Sequence, residues 1–172
     1  MKRNLVKQEK IELYAPRTEE HEIPKGKLGL IFCKECEAVY YKKSWHRNLR
    51  NYKKLKENLP VKFSLCPACQ MIKNRQFEGE IIVKNIQGKI KNDLINLIKT
   101  FCRRAFEADP MDRLIAVKEI KEGLRITTTE NQLAVRLAKK IKQTFKKVEM
   151  KISYSPAPSD VVYIALEMIS EK

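Results

Sequence analysis

Two C-x-x-C pairs, Cys33-Lys34-Glu35-Cys36 and Cys66-Pro67-Ala68-Cys69, stand 29 residues apart in a chain of 172 and constrain its fold more than any other feature. Two residues between cysteines let a backbone turn aim both sulfurs at one point, and two such turns supply the four thiolates that zinc holds tetrahedrally. The spacing reads as a structural zinc site with Cys33, Cys36, Cys66 and Cys69 as ligands. Four thiolates leave no coordination position for water, hence no metal-activated hydrolysis. A redox pair or simple burial is the competing account, weakened because two pairs occur together. Thiolate ligands suit a reducing compartment. No stretch approaches the ~18 apolar residues of a membrane span, and MKRNLVKQEKIELY at the N-terminus lacks the apolar core of a secretion signal. The expected setting is the cytoplasm, with no membrane partner.

Charge points to a polyanionic partner. The formal net charge is +15, from 36 Lys+Arg against 21 Asp+Glu, while 43% hydrophobic residues leave material for a core. The surplus is uneven: residues 31–75 carry 11 basic and 3 acidic side chains, and residues 42–62 carry eight basic residues against Glu57 alone. So one-sided a cluster repels itself unless an anion meets it, and nucleic acid is the commonest such anion.

Between the cysteine pairs, Tyr41, Trp45, Leu49, Tyr52, Leu55 and Leu59 recur at intervals of three and four, which predicts an amphipathic helix over 45–59 with Ser44 as N-cap and Pro60 just past its end. On such a helix Arg47, Arg50, Lys53 and Lys54 fall away from the apolar stripe. With Lys42 and Lys43 they are the candidate phosphate contacts. Tyr41, like Tyr40, Trp45 and Tyr52, is a candidate for stacking on unpaired bases, although Trp45 and Tyr52 lie on the stripe and read first as packing.

Three regions follow: a charged tail over 1–28, a four-cysteine zinc ribbon with a basic helical insert over 29–76, and an α+β domain over 77–172. In the last, a strand at 80–84 precedes a helix with the stripe Ile90, Leu94, Leu97, Ile98, Phe101, Ala105, ended by Pro110. RLIAVKEI and LRITTT form a hairpin turning at Glu122-Gly123, and Thr129 to Gln132 fits a capping box opening a second helix. Alternation over 148–154 and the apolar VVYIALEM add two strands. The expected fold class is α+β, a zinc ribbon followed by a ferredoxin-like β-α-β-β-α-β(β) domain with helices on one face of an antiparallel sheet. Cys102 lies beside a helical stripe and reads as core. Thr127, Thr128 and Thr129 before a helix suit capping more than phosphate binding, Asp109 and Asp112 suit a turn more than a metal, and His21 and His46 read as solvated. With five glycines, no phosphate loop and no H-E-x-x-H, the chain carries no enzyme signature.

CKECEAVYYKKSW, CPACQMIKNRQFEGEIIV, DPMDRLIAV and LRITTTENQLAVRLAKKI together resemble a family of small bacterial and archaeal zinc-ribbon proteins. They are also similar, more distantly, to the N-terminal region of the export adaptor of the large ribosomal subunit, the nonsense-mediated decay protein 3 family. The resemblance spans residues 29–168. It implies zinc on Cys33, Cys36, Cys66 and Cys69, and ribosomal RNA or the large ribosomal subunit as partner. The adaptor's additional cysteine pairs, β-rich domains and nuclear transport signals are not matched in this sequence, so its export role is not implied. The expectation is a non-enzymatic, zinc-containing RNA-binding protein associated with the ribosome in assembly, hibernation or quality control. The alternative is a protein-interaction or small-ligand module whose basic surface merely solubilises it.

Overall fold

The computed structural model describes residues 29–50, 59–157 and 159–169. The expected tail over 1–28, His21 and the candidate contacts Lys53 and Lys54 lie outside the described residues. Within them the chain is α+β, with three helices and two mixed sheets.

The first sheet is built from β1 (Leu30–Cys33), β2 (Val39–Tyr41), β3 (Ser44–His46) and β4 (Val61–Ser64), in the order β3-β2-β1-β4. β1 and β4 run parallel, with Phe32 opposite Phe63 and Cys33 opposite Ser64. Each of these strands leads directly into a C-x-x-C turn, so parallel, in-register pairing delivers both turns to the same end of the sheet. Parallel neighbours need a crossover of a dozen or more residues, which accounts for the long gap between the cysteine pairs. One face of this sheet packs Leu30, Val39 and Tyr41 with Phe32, Leu49 and Leu59.

The expected helix over 45–59 does not start where its stripe begins. Ser44, the supposed N-cap, and Trp45 belong to β3, which pairs with β2 through Tyr41↔Ser44, Tyr40↔Trp45 and Val39↔His46. Trp45 packs toward the cysteines while Leu49 packs on the other cluster, so the two do not share a helical face. Cross-strand pairing overrides the local three-and-four spacing, and residues 51–58 lie outside the described residues. A short helix that the spacing did not signal, α1 (Pro67–Lys73), follows the second cysteine pair's first member.

The second sheet contains β5 (Gly79–Lys84), β6 (Leu114–Ile120), β7 (Gly123–Thr128), β8 (Val148–Tyr154) and β9 (Val162–Met168), in the order β6-β7-β5-β9-β8. Two helices, α2 (Gly88–Ala108) and α3 (Asn131–Phe145), pack against it. In register across the sheet, Ile81 faces Ile126 and Ile164, and Val83 faces Leu124 and Leu166. These rows pack with Leu94, Ile98 and Cys102 of α2 and with Leu133, Leu137 and Ile141 of α3. The chain order of strands and helices follows expectation, but the sheet is not antiparallel throughout. β9 inserts between β5 and β8 and runs parallel to β5. Its apolar run suits a central position, while β8, with Glu149, Lys151 and Ser153 exposed, suits an edge.

The expected capping box also differs. Glu130 occupies the N-cap of α3 without a side-chain hydrogen bond. Thr129 is buried instead, its hydroxyl donating to the Met111 carbonyl and accepting from the Arg113 N–H.

Candidate metal centre

The sulfurs of Cys33, Cys36, Cys66 and Cys69 all lie within 4.8 Å of one another, a possible metal site. Local geometry explains how each is aimed. In the first turn the Cys33 N–H donates to the Ala38 carbonyl (2.8 Å) and Glu37 takes a left-handed φ of 62°, folding the chain back after Cys36. In the second, Cys66 is the N-cap of α1 and Pro67 opens the helix, where a missing N–H costs nothing. One helical turn later the Cys69 N–H donates to Cys66 Sγ (3.4 Å), and the Cys66 N–H donates to Cys33 Sγ (3.3 Å), linking the two turns.

The donor set fits a tetrahedral ion. Bonds of ~2.3 Å from one ion place sulfurs about 3.8 Å apart, and Cys36 Sγ and Cys66 Sγ are 3.6 Å apart. Cys33, Cys66 and Cys69 are buried and Cys36 is half-buried. Burial by itself raises a thiol, but at Cys33 the N–H groups of Cys36, Cys66 and Glu35 outweigh it and bring the group down to about 7. Cys69 is pushed up to about 12, first by burial and then by the neighbouring cysteines, and burial drives Cys66 up as well. Four thiols crowded together in an apolar setting release their protons readily only to a cation. Ala38, Ala68, Trp45, Leu65 and Met111 surround them.

Two arginines connect this cluster to the second unit. Arg113 Nη1 lies 3.8 Å from Cys69 Sγ, and Arg47 Nη1 donates to the Cys36 carbonyl (3.0 Å). Both guanidiniums rest against the ring of Phe106 on α2, at 4.4 Å for Arg113 and 4.7 Å for Arg47. Arg113, Phe106 and Met111 carried no signal in the sequence, because what makes them matter is docking between distant segments.

The other candidates are placed as follows. Lys42 and Lys43 are exposed at the turn between β2 and β3, and Arg50 is exposed beyond it. Tyr41 is buried in the ribbon's own core, and Arg47 is engaged as described. His46 Nε2 donates to the Tyr41 carbonyl (3.0 Å). Thr128 Oγ1 donates to the Glu130 carbonyl, Asp109 accepts from the Met111 N–H, and Asp112 pairs with Arg136. Cys102 is buried in the α+β core, where burial pushes its thiol up to about 12. No helix among the described residues is long and apolar enough to cross a membrane. Comparison with known proteins finds no matching family model and no matching curated protein.

Proposed function

We propose that this chain is a non-enzymatic RNA-binding protein that carries one structural zinc ion and associates with the ribosome through ribosomal RNA or the large subunit. The observation that carries this reading is the placement of charge: residues 31–75, the segment that contains all four clustered cysteines, hold eight of the fifteen surplus positive charges. Zinc is the ion that a soft, tetrahedral four-sulfur set suits best, and with every position filled it would organise the fold without activating water. The second unit is read as a ferredoxin-like relative whose final strand has entered the sheet. The likeness of its cysteine turns and DP-x-x-R segment to the large-subunit export adaptor supports a ribosomal partner in the cytoplasm, in assembly, hibernation or quality control.

Affinity built on phosphate neutralisation falls linearly with log salt on a log scale. Sedimentation of lysate on sucrose gradients tests this directly. The expected result is comigration with ribosomal subunits at low salt and release at moderate salt. A small free species at every salt concentration would overturn the reading. It would favour instead a protein-interaction module, to which the exposed Val61 and Phe63 of β4 lend support.

A further inference from the structure

The hairpin of β2 and β3 turns in two residues, Lys42 and Lys43, whose φ angles are 48° and 67°. Positive φ at both centres marks the type I′ turn, which matches the twist of the flanking strands and is ordinarily filled by Asn-Gly or Gly-Gly. An L side chain in that region crowds its own carbonyl. Two lysines are therefore a poor choice for folding on two counts, backbone strain and adjacent like charges. Neither is buried in a way that would compensate: both are exposed, and Lys42 Nζ lies 5.5 Å from the centroid of the Tyr41 ring at the hairpin's own base.

The hairpin holding them is well anchored. Tyr41 is buried, the Tyr40 and Trp45 rings meet at 5.4 Å, and His46 Nε2 bonds the Tyr41 carbonyl across the turn. The turn stands at the end of the sheet opposite the cysteines, since β2 leaves the first cysteine turn at Val39 and ends at Tyr41. Strain that persists at an exposed, firmly supported position points to a use outside the fold.

We infer that this hairpin is a phosphate-contacting finger for RNA, its dilysine turn kept for the charge it projects at the cost of the fold. The inference rests on the RNA-binding reading above and locates a contact within it. A rigid tip holds two ammonium groups ready for a phosphate backbone, and their binding there would release condensed counterions.

Four full-length, metal-loaded proteins decide it, each titrated over a salt series against a fluorescein-labelled single-stranded oligoribonucleotide of mixed sequence and melted in parallel. K42N/K43G restores the favoured turn and removes two charges. It is expected to raise Tm while weakening binding roughly tenfold and reducing the salt slope by about 1.4, twice the ~0.7 for each single-strand phosphate contact. K42R/K43R keeps both charges and should bind as the parent does. K139Q/K140Q removes the same charge from exposed positions on α3 and should change affinity less than about twofold. Parent protein that binds RNA while K42N/K43G binds equally well, or while K139Q/K140Q loses as much, would overturn the finger and leave the RNA reading standing. Parent protein with no salt-dependent binding would overturn both.

Discussion

Arg113 answers to two elements at once, lying 3.8 Å from Cys69 Sγ and against the ring of Phe106 on α2. A cation beside a thiolate cage offsets part of the net negative charge that four thiolates and one divalent ion leave, and neighbours of this kind typically carry 10–100-fold in metal affinity. Arg113→Ala is therefore expected to weaken metal binding about tenfold in competition with a chromophoric chelator, with Arg113→Lys recovering part of the loss. Equal affinity in Arg113→Ala would show that the contact is incidental. Gly79 is constrained for a different reason. A Cβ there would meet the Cβ of Ala134 on α3 at 2.5 Å and the Thr128 hydroxyl as well, so the helix would have to lift from the sheet. Gly79→Ala should destabilise the fold by about 1–3 kcal/mol in denaturant titration, the range for overpacking a close contact. At this scale the four cysteines were legible because their spacing is local chemistry. Arg113 and Phe106 were not, because nothing near them in the chain announces what they touch. Thr129 misled for the same reason: a hydroxyl three residues before Gln132 fits a cap, but a buried carbonyl and N–H from the segment 111–113 claim it first.

Among elements, long periodic segments read correctly and short ones did not. β8 runs over Val148–Tyr154, where alternation placed it, and α3 ends at Phe145, the last member of its stripe. The β2–β3 hairpin was hidden by two coincidences: its residues also fit a helical spacing, and its turn contains no Gly, Asn or Asp to mark it. The position of β9 was hidden too, since which strand lies beside β5 is settled by which is apolar enough to be covered on both sides. Packing of α3 on the second sheet is the main apolar contact of that unit. Leu137, fully buried beneath it, tests this. Leu137→Ala should cost about 2–5 kcal/mol, as cavities of that size do, and should leave the denaturant m-value unchanged if unfolding stays two-state. A loss well below 1 kcal/mol would mean that α3 is held by something other than this face.

Across the whole molecule, the two sheets are joined by side chains gathered around the cysteines: Met111 packs on them, and Arg47 and Arg113 tie them to α2. Metal removal is therefore expected to loosen more than the ribbon. One zinc per chain should be found by elemental analysis of protein prepared without added metal, and chelation should lower Tm and raise hydrogen exchange at Met111 to Arg113 as well as around the cysteines. Cys66→Ser should reproduce both effects. Exchange confined to the ribbon would show that the second sheet does not depend on the cage. The parallel pairing of β1 with β4 also sets an order of events in time. The metal site cannot close when the first cysteine pair leaves the ribosome, nor when the β2–β3 hairpin forms. It must wait until residue 69 has emerged and a strand from residue 61 onward has returned to lie beside β1. Until then two reactive thiols stand exposed on a half-built sheet, so capture of the ion is a late, non-local step that marks a correctly closed chain.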